Sequence, residues 1–409
     1  MDLTGYNRIT NGPSRVQLLT ANELLEKIKD SYCSSIDLFH CYFSIKLSKS
    51  SRDLINVYWL NGTLLSLQRL PQGWKSSLFF AELALRLTFN PRMIKTFRHK
   101  YNIPIHTFPY THPDEIVSRY VDDIMISSKK DKGEDHHILC CKFVLYCLET
   151  VGFKIKLKKC AFFSSNLTFL GRYYDLNNNT HKIHPNKLKA FTNYRVPRSP
   201  AELASRLASL NYERVYAILA KVIAAPLYSL IKKDDFHWTL VHSRAWFDLL
   251  FLYSMALELV FISPSDHLVL STDASNNAIG YGAFKFDPNT FQLQLAMTDS
   301  KLLNQADRNK STITKEVISL LYCLHSMEYQ IRQSEHEVIL LSDAQSISQI
   351  QRFRNTSDYY LQIALFLASL NKVKILFIPG TANLLADSLS RRMADSLIKK
   401  RKLNQPRIS

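Results

Sequence analysis

The sequence predicts a multidomain α+β protein, and three observations predict it. Residues 37–175 alternate β-rich and helical stretches. From Pro185 to about Val260, apolar residues recur at three- and four-residue intervals, as in AELASRLASLNYERVYAILAKVIAAPLYSLI, the period of helices that bury one face. After Pro264 the chain changes to short strands (HLVLSTDA, IGYGAFKF, FQLQLAMT) and then alternates helix and strand, which marks a boundary near residue 262. The chain has 409 residues, 46% of them hydrophobic, enough for large cores. At roughly 100–200 residues per domain, that length allows about two to four domains.

Charge and cysteine usage narrow the function classes. Lys and Arg outnumber Asp and Glu by 52 to 35, a net charge of +17, which points to a polyanionic partner. The seven cysteines (Cys33, Cys41, Cys140, Cys141, Cys147, Cys160, Cys323) form no CxxC pair. Their spacing excludes a zinc cluster and a disulfide framework and implies a reducing compartment. No apolar run approaches the roughly 18 residues of a membrane span, and no charged-then-apolar leader opens the chain. Trp246 to Ile262 is broken by Asp248, Ser254 and Glu258 and reads as a core-facing helix. A membrane partner is excluded on this reading, and an intracellular protein is expected. The last residues, 393–409, form a basic tail.

The chemistry-bearing elements follow in order. SSIDLFHCYFSIKL alternates apolar and polar residues and reads as a strand with Asp37 near its start and Tyr42 five residues on. Leu70-Pro71-Gln72-Gly73 is a Pro/Gly turn leading into the helical SLFFAELALRL. IVSRYVDDIMIS reads as two short strands with Asp122 and Asp123 between them. Adjacent carboxylates among apolar residues are costly unless turned outward or bound to a cation, so a tight hairpin with the acids at its tip is expected. Gly152 to Cys160 follows, then Phe169-Leu170-Gly171. Downstream, Asp273 lies on an apolar strand, Glu316 on an amphipathic helix, and Asp343 at the end of EVILLSDA. Asp387 stands one helical turn after Asn383.

Taken together, these motifs resemble the reverse transcriptase and RNase H of gypsy-type LTR retrotransposons and retroviruses. The family's signature is an Asp followed five residues later by an aromatic, a LPQG turn, a YVDD or YMDD box, a Gly-to-Lys stretch and a FLG strand. All five occur here in order between Asp37 and Gly171, and the Asp-Ala-Ser opening and ADxLSR closing of the RNase H domain occur downstream. The resemblance covers about residues 6–392. It implies a right-hand polymerase palm with partial fingers over residues 1–175, a helical thumb and connection over 176–262, and a C-terminal α/β RNase H-like domain over 263–392.

The same resemblance implies an RNA-directed DNA polymerase with RNase H activity, using Mg²⁺ or Mn²⁺ with two ions per active site. Asp37 and Asp122 would ligate metal with Asp123 in support, and Asp273, Glu316, Asp343 and Asp387 would form the second site. Tyr42 would be the steric gate against ribonucleotides, and Gln72, Gly73 and Tyr120 would contact nucleotide or template. Lys158 or Lys159 would protonate pyrophosphate, and Phe169, Leu170 and Gly171 would form the primer grip. Arg198, Arg206, Lys232 and Lys233 would touch backbone phosphates. The implied partners are an RNA template, a DNA primer, dNTPs and RNA–DNA hybrid, in the cytoplasm, retroelement particles or nucleus. Only 36 residues precede Asp37, so weak polymerisation is expected. The alternative reading is a truncated or domesticated copy that binds nucleic acid without polymerising, retaining RNase H.

Overall fold

In the computed structural model the described residues are 27–52, 56–58, 62–217, 220–231, 236–343, 365–370 and 372–379, with Leu3, Asn7, Arg8 and Leu24. Lys232, Lys233, Asn383, Asp387 and the tail 393–409 lie outside them. The chain divides into two compact units, residues 1–170 with 174–179, and residues 171–173 with 180–409.

Along the first unit come β1 (Ser31–Asp37), the one-turn helix α1 (Cys41–Ser44), a small hairpin of β2 (Asn56–Tyr58) and β3 (Leu64–Ser66), and helices α2 (Ser77–Thr88) and α3 (Pro91–Lys100). Strands β4 (Val117–Tyr120) and β5 (Asp123–Lys129), helix α4 (Glu134–Val151) and β6 (Asn166–Phe169) follow. β5 is the central strand, paired antiparallel with β1 and β4. It is buried from Ile124 to Ser128, which is why its sequence does not alternate.

Helix α4 buries His137, Cys140, Cys141, Val144, Cys147 and Leu148, a three-to-four spacing that lays one face on the core. Ile36, Ile124, Ile126, Phe97 and Phe143 complete that core. His137 is fully buried within it, with Nε2 2.8 Å from Ser34 Oγ on β1 and Nδ1 2.8 Å from Ser128 Oγ on β5. Burial pushes its pKa down to about 4, so a neutral ring fastens two neighbouring strands to the helix.

SSIDLFHCYFSIKL is not one strand. β1 ends at Asp37, His40 takes a left-handed φ of 50°, and Tyr42 projects from the helical turn α1. Period-2 alternation misleads here because the apolar side chains face different ways: Cys41 is buried while Phe39 and Phe43 are exposed.

β7 (Arg172–Asp175) straddles the division between units. The second unit continues through β8 (Thr180–Ile183), α5 (Pro185–Thr192), α6 (Pro200–Tyr212), α7 (Ala225–Ile231), α8 (Leu240–Ser254) and β9 (Leu259–Val260). Next come β10 (His267–Ala274), β11 (Ala278–Asp287), β12 (Gln292–Leu302), α9 (Thr312–Ser326), β13 (Val338–Ser342) and β14 (Val373–Phe377). One core gathers Leu207, Leu227, Trp246 and Tyr253 from the helices. α8 buries Trp246, Leu249, Leu250 and Tyr253 and leaves Phe247 and Phe251 exposed, the one-sided pattern of a helix on a core. In α6, Arg206 is engaged by the Glu202 carboxylate and the Arg195 carbonyl, while the Arg198 N–H donates to Glu202 at 2.7 Å.

The other core packs α9 on a sheet of order β12-β11-β10-β13-β14, antiparallel from β12 to β10 and parallel from β10 to β14. Leu268, Leu270, Val317, Leu320, Leu324 and Leu340 fill it. Asp299 on β12 joins the two cores. It receives Arg214 at 3.2 Å, Lys221 at 3.3 Å and the Tyr322 hydroxyl at 2.7 Å. Burial alone would raise the Asp299 pKa, but the hydrogen bonds from Tyr322 and Arg214 outweigh it and hold the carboxyl below its usual range. All seven cysteines are free thiols, and among the described residues no helix is long and apolar enough to cross a membrane.

Candidate active sites

The first acid group is built by strand register. β1 and β5 pair from Ser31↔Lys129 to Asp37↔Asp123, so Asp37 stands across from Asp123. On the other side Tyr120 pairs with Asp123, leaving Val121 and Asp122 as a two-residue hairpin loop. Val121 takes a φ of 61°, a conformation that a β-branched residue adopts at a cost of about 1–3 kcal/mol. The Leu38 N–H donates to the Asp122 carbonyl at 3.3 Å, which holds the loop against the end of β1. The three acids thus lie at one end of the sheet, and among the described residues only the second group below brings three carboxylates within 4.8 Å of one another. Burial, followed by the charges of Asp122 and Asp37, raises the Asp123 pKa to about 6, with Lys159 opposing.

Residues 154–161 run along the free edge of β1. The Phe39 N–H donates to Lys154 O at 2.7 Å, and the Lys156 N–H to Asp37 O at 2.9 Å. That path carries Lys159 Nζ to 3.3 Å from Asp37 Oδ2, while Lys158 points to solvent. Of the two lysines singled out by the sequence, Lys159 is the one at the acids.

Tyr42 is half-buried, its hydroxyl pKa raised by burial and then by the charge of Asp122. The LPQG turn is tied to the segment after α1 by the Leu70 N–H donating to Ile45 O at 3.0 Å. Gly73 needs its missing side chain there, with φ at 89°, and its carbonyl accepts from Asn7 Nδ2 at 2.8 Å. Gln72 is exposed and Tyr120 half-buried. Phe169 is buried, and Leu170 and Gly171 form a turn with φ of 54° and 71°, two successive left-handed residues as in a type I′ hairpin. Sequence reasoning passed over Arg119, which stands beside Tyr120 on β4. Its guanidinium, largely buried, lies 2.5 Å from Asp114 and 3.6 Å from Glu82 and braces the hairpin from behind.

The second acid group is tighter. Asp273, Glu316 and Asp343 each offer a carboxylate oxygen, all within 4.8 Å of one another. β10 and β13 run parallel in the register Ser271↔Leu341, which brings Asp273 and Asp343 out at the same strand ends. Glu316 comes from α9, and Ser319, one turn further on, seats that helix: its hydroxyl lies 2.9 Å from Asp273 O and 3.1 Å from Gly280 O. Ser319 was also passed over, although its three-residue offset from Glu316 is legible in the sequence. Asp273 and Glu316 are 1% and 4% exposed, and buried carboxylates so close together either hold a proton or take a counter-charge. An all-oxygen set of carboxylates suits a hard divalent cation. Asp387 lies outside the described residues.

Known proteins show the same two-part order. Residues 5–174 match the reverse transcriptase (RNA-dependent DNA polymerase) family, and residues 263–370 match the RNase H-like domain found in reverse transcriptase. The Transposon Tf2-3 polyprotein of Schizosaccharomyces pombe is 25% identical over 385 residues, 93% of this chain and 27% of the polyprotein. Together these matches support a reverse transcriptase–RNase H segment of an LTR retrotransposon. This segment is also 26% identical over 277 residues to the Transposon Tf2-7 polyprotein of the same yeast, covering 66% of the chain and 20% of that polyprotein. It therefore spans about a quarter of the length of the curated relatives it matches. Among solved structures, the foamy viral protease-reverse transcriptase in complex with double-stranded DNA has a similar fold. One such structure has a TM-score of 0.68 at 19% identity, over 91% of this chain and 61% of that one. Another has a TM-score of 0.66 at 20% identity, over 92% and 74%. This reverse transcriptase–RNase H segment thus shares the architecture of a polymerase joined to an RNase H-like domain.

Proposed function

We propose that the chain is an RNA-directed DNA polymerase and ribonuclease H that acts on primer–template duplexes, extending a DNA primer on an RNA template with dNTPs and cutting the RNA of RNA–DNA hybrid. The observation that carries this reading is the register that sets Asp37 opposite Asp123 with Asp122 on the adjoining loop. Asp37 and Asp122 would hold Mg²⁺ or Mn²⁺ with Asp123 in support, and Asp273, Glu316 and Asp343, with Asp387, would hold it in the second site. When bound, two such ions lower the pKa of the attacking hydroxyl or water and offset the charge developing on the phosphate.

The chain's own groups supply the rest. Lys159, 3.3 Å from Asp37, presents an ammonium proton where pyrophosphate would leave. Tyr42, which feels the charge of Asp122, would be the gate against a 2′-hydroxyl, and Gln72, Gly73 and Tyr120 would contact nucleotide or template. The turn at Phe169, Leu170 and Gly171 would steady the primer. The foamy viral relatives are described in complex with double-stranded DNA and RNA/DNA hybrid, which supports duplex partners here. The surplus of 17 positive charges supports them too. The same reading places the protein inside the cell, in cytoplasm or retroelement particles.

Extension of oligo(dT) on poly(rA) with Mg²⁺ tests the polymerase. The reading expects extension by the natural chain and none by Asp122→Asn. Hybrid binding without extension by either would replace it with the binding-only reading.

A further inference from the structure

The turn that follows β1 carries a feature the two acid groups do not use. An open pocket of about 490 Å³ has Phe39, His40, Phe43, Arg69 and Lys154 among its lining residues, and none of its described lining residues is an acid. Three rings stand together there, with centroids 4.2 Å apart for Phe39 and His40 and 6.2 Å apart for His40 and Phe43. Phe39 is 43% exposed and Phe43 41%. Leaving neighbouring phenyl rings in water forgoes roughly 25 cal/mol for each Å² of apolar surface, so such a cluster marks a surface that binds something.

The pocket is separate from the place of the polymerase acids. None of Asp37, Asp122 and Asp123 lines the pocket; of the residues at α1, His40 before the helix and Phe43 and Ser44 on it do, whereas Cys41 and Tyr42 feel the charge of Asp122. Its frame is fixed by backbone contacts. Phe39 N–H donates to Lys154 O at 2.7 Å, and Arg69 Nη1 donates to Ser44 O at 2.9 Å. The hydrogen-bonded Arg69 guanidinium and the exposed side chain of Lys154, whose backbone is anchored, therefore border the rings. Flat aromatic faces beside cations have the chemistry that recognises a base joined to a phosphate.

We propose that this pocket binds a nucleotide unit, its base stacked on Phe39 or Phe43 and its phosphate held by Arg69 and Lys154. The unit comes from an unpaired nucleic-acid strand or from a free nucleotide, since both present the same chemistry. Binding here does not depend on polymerase activity and needs no metal.

Fluorescence anisotropy of the full chain in EDTA tests this with two labelled probes, adenosine 5′-monophosphate and a dT12 single strand. Lys154→Glu removes the cation, and Phe43→Leu keeps an apolar side chain while removing the ring, with unchanged circular dichroism as the folding control. Each variant should weaken at least one probe by about 5- to 100-fold, the range expected for one stacked base. Loss confined to dT12 identifies the strand as the source, and loss that includes the monophosphate identifies free nucleotide. Unchanged affinity for both probes in both variants overturns the proposal. So does an Asp122→Asn chain that loses as much binding as Lys154→Glu, because the probe would then sit at the polymerase acids.

Discussion

Asp37 on β1 stands directly opposite Asp123 on β5, with Lys159 3.3 Å from the Asp37 carboxylate. Like charges opposed across two strands destabilise a sheet unless a cation lies between them. Asp37→Asn and Asp122→Asn are each expected to raise the melting temperature in EDTA or leave it unchanged, while lowering primer extension by at least about 100-fold. Extension within ten-fold of the natural chain in either variant would remove these acids from the reaction.

On the proposed role, Asp343→Asn is expected to abolish cleavage of hybrid RNA while changing hybrid affinity less than about three-fold, because it would remove a metal ligand and not a phosphate contact. The checks are a gel assay with Mg²⁺ and a binding titration. Persistent Mg²⁺-dependent cleavage would refute the role.

Ser319→Ala deletes the hydroxyl that seats α9 against the Asp273 and Gly280 carbonyls. The expected cost is about 1–3 kcal/mol of stability, the penalty for a buried polar contact removed from one side. Hybrid cleavage should fall less than in Asp343→Asn, since the acids remain. Denaturant unfolding with no loss of stability would show that Ser319 does not position the helix.

His137 sets a pH dependence of stability. Its folded pKa is about 4, below the ordinary 6.5, so the unfolded chain binds a proton more readily than the folded one. Stability from this residue is present above pH 6.5 and is lost as pH falls toward 4, at roughly 1.4 kcal/mol per unit of pKa difference. His137→Gln should be less stable than the natural chain at pH 7, and that gap should narrow by pH 4.5. A gap that stays constant would mean that His137 is not held neutral.

Duplex affinity should fall steeply with salt. Each neutralised phosphate of B-form DNA contributes about −0.9 to the slope of log affinity against log salt concentration. A slope near zero would make the +17 charge a solubility surface instead.

How much of this was legible in the chain depends on the range of the interaction. The order of the motifs, the helical period of residues 185–260 and the strands HLVLSTDA and EVILLSDA are local properties, and element types followed from them because side-chain period is set by backbone geometry within a few residues. The helical turn at Tyr42 was not legible, since alternation in LFHCYF matches a strand as well as a turn whose apolar residues face two ways.

The sequence by itself determined which acids exist, their order, and the elements that carry most of them. Only the tertiary structure decided which groups meet. The one-residue choice between Lys158 and Lys159 depends on the backbone bonds that lay residues 154–161 along β1. The pairing of Asp37 with Asp123 depends on strand register, where a slip of one residue would send every side chain to the other face. The gathering of Asp273, Glu316 and Asp343 depends on a parallel strand pair and a serine seated on two carbonyls. The aromatic pocket at Phe39 and Phe43 likewise exists only once Arg69 and Lys154 are folded against it. These contacts join residues far apart in the chain, and packing, not local preference, selects them.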